Sequence, residues 1–211
     1  MKSLNEYIIE KILINKNSKL NKIKVETLIQ LKSIVWERYH KNNSFIDLTD
    51  IDISELDDLS NVFARLSKVE VIDISGWNTS NVTFMDEMFR KCVKLKNIIG
   101  IENLDVSKLE NANSMFYMCE NLIELDLTNW NPISLQNSRQ MFFNCSNLKI
   151  IKNIENWQIP NIKCVRYMFS GCTKLDVDLS NWDLTHIKDY LKYQGLVANS
   201  GITENHYPKL K

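Results

Sequence analysis

A five-residue motif occurs four times at a nearly constant interval, and that interval limits the possible folds more than any other feature of the chain. Met88-Phe89-Arg90-Lys91-Cys92 returns as Met115-Phe116-Tyr117-Met118-Cys119, Met141-Phe142-Phe143-Asn144-Cys145 and Met168-Phe169-Ser170-Gly171-Cys172. The cysteines are 27, 26 and 27 residues apart. An earlier copy, Val62-Phe63-Ala64-Arg65-Leu66, carries Leu in place of Cys. Three residues past each copy stands an apolar side chain: Val69, Leu95, Leu122, Leu148 and Leu175.

A second block follows within each period. It reads Asp73-Ile74-Ser75-Gly76-Trp77, Asp126-Leu127-Thr128-Asn129-Trp130 and Asp178-Leu179-Ser180-Asn181-Trp182. Weaker copies begin at Asp47, Gly100 and Asn153. A coil of about 26 residues cannot bury its own apolar face, so a periodic chain of this kind stacks its coils. The apolar–polar alternation around Asp126-Leu127-Thr128 predicts a short strand in each coil, and a parallel sheet with rungs ~4.8 Å apart. The spacing of Met-Phe-x-x-Cys-x-x-Leu places apolar residues at i, i+1, i+4 and i+7, which predicts a short helix on the other side of the sheet.

The cysteines are read through the same periodicity. Five of them, Cys92, Cys119, Cys145, Cys164 and Cys172, leave one over from any pairing, and no two have zinc-ligand spacing. The four in the repeat are expected to be small buried hydrophobes. Cys164 lies outside the ladder and is expected to be the most exposed thiol.

The pattern MFxxCxxLxxLDLSNW, followed by TSNVTFMDEMF as written at 79–89, resembles the BspA-like leucine-rich repeats of bacterial surface and secreted proteins. The resemblance spans roughly residues 45–190. It implies an α/β leucine-rich-repeat solenoid that binds other proteins, with a parallel sheet on one face, short helices on the other and no cofactor.

The chain then divides into an N-terminal helical cap at 1–44, about six repeats at 45–190, and a C-terminal cap or tail at 191–211. Within the cap, Ser3 and Glu6 have capping-box spacing for a first helix, and a second is predicted from about Val25 to Tyr39. The 21 Lys against 5 Arg point to an AT-rich gene. The opening LNEYIIEKILINKNSK is similar to starts found on proteins of phages and mobile elements.

No phosphate-binding loop, nucleophile elbow or metalloprotease helix is present, and the three histidines stand in unrelated segments. A non-enzymatic protein without cofactor, metal or small-molecule substrate is therefore expected. No apolar run approaches the ~18 residues of a membrane span, and the first residues lack a secretory pattern. A cytoplasmic protein of a bacterial host cell is the resulting expectation.

The formal charge is zero, but it is unevenly spread. Residues 1–44 carry nine basic and four acidic side chains, and residues 45–89 carry two basic and ten acidic. Strand alternation predicts an exposed face with two columns, Asp47, Asp73, Asp126 and Asp178 beside Ser75, Glu102, Thr128 and Glu155. These residues either form an acidic interaction face or accept hydrogen bonds from neighbouring turn amides. A basic partner would suit the first case, with a basic RNA-guided nuclease or its ribonucleoprotein as the specific expectation, inhibited by a phage or mobile-element protein. The alternatives are a BspA-like surface or adhesion protein, and nucleic-acid binding through a basic patch of Lys11, Lys19, Lys24 and Arg38.

Overall fold

A computed structural model describes residues 22–210. The expected first helix, with Lys11 and Lys19, lies outside the described residues. Strand β1 (Ile23–Lys24) precedes helix α1 (Leu28–Lys41). Thr27 caps the helix and Gln30 reaches back to the cap, a reciprocal arrangement that satisfies donors left open in the first turn. Leu31 and Val35 are buried, and the helix packs on the first strand of the repeat, β2 (Phe45–Asp47).

The coils stack in parallel register. Strand β4 (Val71–Asp73) lies between β2 and β5 (Asn97–Ile99), with Ile46, Ile72 and Ile98 aligned. Strand β6 (Glu124–Asp126) pairs with β7 (Ile150–Lys152), and a short β3 (Ile51–Asp52) pairs with β1. A second parallel ladder of single bridges joins Asp58, Phe84, Asn111, Asn137 and Cys164 on another side of the coils.

Between the ladders, every repeated Phe is buried. Phe63, Phe89, Phe116, Phe142 and Phe169 stack with ring centroids 5.1–5.5 Å apart. Trp130, Trp157 and Trp182 form a second stack at 6.0 and 6.3 Å.

The short helices expected at Met-Phe-x-x-Cys-x-x-Leu are absent; tight turns occupy those segments. The reason is where the backbone amides go. Met85, Glu87, Phe89 and Lys91 donate to carbonyls of the next coil, while Met88, Arg90 and Cys92 donate three residues back. Half of the amides are thus engaged between coils and cannot close helical i→i−4 bonds. The same alternation requires left-handed backbone twice per turn, at Glu87 and Lys91, Ser114 and Met118, Gln140 and Asn144, then Tyr167 and Gly171. A non-glycine residue there costs about 1 kcal/mol or more, which the inter-coil hydrogen bonds offset.

The cysteines do more than fill space. Each Sγ–H of Cys92, Cys119, Cys145 and Cys172 donates to the carbonyl of the repeated Phe one coil earlier, at 3.0–3.1 Å. Leu66 occupies the first copy, where no earlier repeated Phe exists to accept such a bond. All five thiols are free and buried. Burial pushes the Cys92 thiol up to about 12 and holds Cys119 and Cys145 well above their ordinary value. Cys164 is also buried, contrary to expectation, because it sits in the bridge ladder; at 9 % it is still the most exposed of the five. Native-state thiol labelling should therefore modify Cys164 first and slowly, and the other four only on unfolding. Labelling of Cys119 ahead of Cys164 would contradict this packing.

At the C-terminal end, Val165, Tyr167, Phe169 and Gly171 donate to Lys192, Gln194, Leu196 and Ala198, so the turn ladder continues through 190–198. His206 then holds the last segment to Asp176 at 2.9 Å, an ion pair that raises the His206 pKa.

Candidate interaction face

The acidic column expected on the strand face is dismantled by a one-residue insertion. Residues Gly100 (φ +89) and Asn153 (φ +72) are additional residues in left-handed conformation, each followed by a 3-10 turn at Ile101–Asn103 and Ile154–Asn156. Strand register consequently aligns Asp47, Asp73 and Ile99, and separately Asp126 with Lys152. Gly100 and Asn153 are not in the column, and a lysine is.

The aspartates act within the turns. Asp47, Asp73, Asp126 and Asp178 accept the amide hydrogens of Thr49, Ser75, Thr128 and Ser180 at 2.9–3.1 Å. These are Asx turns, the alternative that the sequence left open. Asp73 is only 3 % exposed, which corrects the expectation that its side chain faces solvent. Asp126 is half-buried, and its carboxyl is held below the usual range by the Thr128 hydroxyl and then by Lys152 at 3.0 Å. Lys152 also meets Glu124 at 2.8 Å, and these two carboxylates raise its pKa.

Of the remaining expected residues, Ser75, Glu102 and Glu155 are half-buried and Thr128 is exposed. Glu102 accepts from Asn103 and Glu155 from Asn156, each within its 3-10 turn. Asp178 is exposed, and the Ser180 bonds lower its pKa.

Replacing Asp73 with Lys should cost about 1–3 kcal/mol, because the Asx acceptor is lost and a longer side chain of opposite charge must fit a buried position. The same change at Asp178 should stay near the turn contribution alone. Thermal denaturation of the two variants checks the contrast, and equal melting temperatures would contradict it.

Of the expected basic patch, Lys24 and Arg38 lie among the described residues, and both are engaged. Arg38 grips both Asp50 oxygens, at 2.6 and 2.9 Å, and donates to the Asp47 carbonyl, which ties α1 to the first coil. Lys24 pairs with Glu55 at 3.2 Å. Arg38 and Asp47, expected in separate patches, therefore meet in one hollow of about 440 Å³.

A different feature marks the strand face. The Lys96 amide donates to the Glu70 carbonyl and the Lys149 amide to the Ile123 carbonyl, but no backbone hydrogen bond joins 96–101 to 122–127 among the described residues. The strand ladder is interrupted after the inserted Gly100. A cleft of about 230 Å³ opens there, lined by β5, β6 and residues including Glu102 and Asp126. Beside it Ile123 is 53 % exposed, and Ile150 on the next coil is 48 % exposed. Sequence alternation alone had drawn attention to the aspartates. The signal for the cleft is the 27-residue interval, which marks an extra residue.

Also missed was the asparagine ladder that joins the coils. Asn121 donates to Val93 and Asn147 to Glu120 in one column, and Asn81 to Ser54 and Asn161 to Ile133 in a second, through their side-chain amides. Asn103 and Asn156, within the 3-10 turns, bond neighbouring side chains instead.

Among the described residues there is no group of three metal-ligating side chains, and no helix is long and apolar enough to cross a membrane. Stacked coils, two parallel ladders and an internal Cys–Phe column define a repeat protein of leucine-rich type. The chain belongs to the family described as "Mycoplasma protein of unknown function, DUF285", whose model matches residues 30–150 and 97–198. Its repeats thus have a family counterpart, in line with their BspA-like, leucine-rich character. A solved structure, the T. pallidum leucine-rich repeat protein, is similar at 16 % identity, with 64 % of this chain and 79 % of that one covered and a TM-score of 0.27. No curated protein matches the sequence.

Proposed function

We propose that the chain is a non-catalytic protein-binding solenoid, capped at its N-terminal end by α1, with the interrupted strand face as its working surface. The observation that carries this reading is the pair Ile123 and Ile150, exposed on adjacent coils beside a cleft whose strand edges lack their ladder bonds. Exposed apolar side chains next to unpaired backbone suit a partner that contributes both apolar contacts and an extended edge. Glu124 and Asp126 line the cleft, and Lys152 on the next coil pairs with both carboxylates.

This face therefore selects by shape and apolar contact more than by acidity, and no feature of it singles out a nuclease of the defence type. Membership of a BspA-like repeat group favours a protein partner in the cell or at its surface. The nucleic-acid reading is weakened by the ion pairs of Arg38 and Lys24.

The test is capture from whole-cell extract by the wild-type chain and by an Ile123→Asp, Ile150→Asp double variant. Both side chains are exposed, so the variant should keep its melting temperature. A protein retained by wild type and lost by the variant supports this surface. Equal capture by both removes it.

A further inference from the structure

Opposite charges occupy opposite ends of the bridge-ladder face. Its five rungs pass through Asp58, Phe84, Asn111, Asn137 and Cys164. Flanking positions continue from rung to rung: the amides of Thr83, Glu110, Gln136 and Lys163 each donate to the carbonyl of the residue one coil earlier, at 2.8–2.9 Å. Asp57 and Asp58 lie on the first rung and Asp86 on the second. Glu110 is on the third, Arg139 on the fourth, and Lys163 and Arg166 on the fifth.

None of these seven side chains has an ion pair among the described residues. Charges on the strand face behave differently, since Glu70 meets Lys96 and Glu124 meets Lys152. Geometry explains the contrast. With rungs ~4.8 Å apart, the two ends of the bridge ladder are separated by ~19 Å, far beyond ion-pair reach. Like charges instead sit next to each other: burial first, and then the neighbouring Asp58, raise the Asp86 pKa against the hydrogen bonds of Asn113.

We infer that this face is a self-complementary interface for a second copy of the chain, packed antiparallel about a two-fold axis through Asn111. That operator sets rung one against rung five of the other copy, and rung two against rung four. Asp57 and Asp58 then oppose Lys163 and Arg166, and Asp86 opposes Arg139, each contact occurring twice by symmetry, against a single like-charge contact of Glu110 with its own copy on the axis. Phe84, 40 % exposed, becomes covered at the same time. A parallel pairing would place like charges together along the whole face. The area is small: five rungs by three columns fall well below the ~800 Å² per partner of a standard interface. The association is therefore weak, and salt suppresses it.

Sedimentation velocity up to about 1 mM protein tests this, because interfaces of such size associate weakly. At low salt the weight-average sedimentation coefficient should rise with concentration, and 0.5 M salt should abolish the rise. Asp57→Lys and Lys163→Glu each replace attraction by repulsion at both ends of the homodimer. Each should weaken association about tenfold or more. Both side chains are exposed, and neither bonds the backbone, so the fold is preserved.

Mixing the two variants restores opposite charges at both ends of an antiparallel pair, and association should return to the wild-type level. A control mixture of Glu120→Lys with Lys94→Glu, exposed positions off this face, should not exceed wild type. A wild-type chain monomeric at the highest concentration in low salt would overturn the inference. So would a variant mixture that fails to associate, or enhanced association in the control mixture.

Discussion

Replacing Phe116 with Ala should lower stability by about 3–5 kcal/mol, the range for removing a fully buried aromatic side chain. Phe116 lies between Phe89 at 5.3 Å and Phe142 at 5.4 Å, with interplanar angles of 4° and 2°. No neighbouring side chain can fill the gap without leaving its own place in the column. Its carbonyl also accepts the Cys145 thiol and its amide donates to Met141, so a local shift disturbs both adjacent coils. In a stacked array each coil is stabilised by its neighbours, and damage in the middle splits it into two shorter halves. Phe143 provides the comparison. It stacks on Tyr117 at 5.1 Å in an outer, half-buried column. Its replacement by Ala should cost less than about half as much. Urea denaturation midpoints of the two variants read the difference, and a Phe116→Ala midpoint within error of wild type would refute the packing described.

Gly100→Asn should be destabilising by about 2–4 kcal/mol, since backbone strain and overpacking act together. Left-handed backbone is not the whole reason, because Asn tolerates it and Asn153 occupies the equivalent position at φ +72. The obstacle is the preceding coil. A Cβ at Gly100 would lie 2.8 Å from Ser75 Cα and 2.9 Å from its amide nitrogen, and backbone cannot move aside as a flexible side chain can.

The reciprocal change, Asn153→Gly, should shift stability by no more than about 1 kcal/mol. It removes two long hydrogen bonds, to the Leu127 and Trp130 carbonyls, and a third that Asn153 accepts from the exposed Asn156 amide. It also frees the Leu127 carbonyl. The Trp77, Trp130 and Trp182 indoles donate to carbonyls of the preceding coil, while the buried Trp157 indole has no partner. Leu127 is the carbonyl equivalent to those the other tryptophans use, and Asn153 occupies it. Denaturation midpoints of the two variants measure the asymmetry, and equal losses would place the cause in backbone conformation alone.

The repeat, its register to within a residue, and the buried Phe, Trp and Cys columns were legible in the sequence. Periodic apolar residues encode burial directly, and a 26-residue coil has no other way to cover them. Helix α1 was legible for the same reason, through Leu31 and Val35 on one face. The turns that replace the expected helices were not. Apolar spacing reports which side chains are buried, but not whether an amide bonds within its own coil or to the next. Asn61, Asn144, Gly171, Gly195 and Asn199 among the left-handed turn residues carry the usual residue types for that conformation, whereas Glu87, Lys91 and Met118 give no sign of it.

The candidate face shows the same division. Asp47, Asp73, Asp126 and Asp178 are conspicuous in sequence because turn chemistry repeats them, and the structure engages them in those turns. What opens the strand face is the offset produced by Gly100 between two coils, and what polarises the bridge ladder is the addition of isolated charges along an axis. Local sequence fixed each side chain's place within its coil, through alternation and burial. Contacts between coils decided which side chains became neighbours, because stacking joins residues about 26 positions apart, and one inserted residue displaces the strand-face column while the Phe column continues across it.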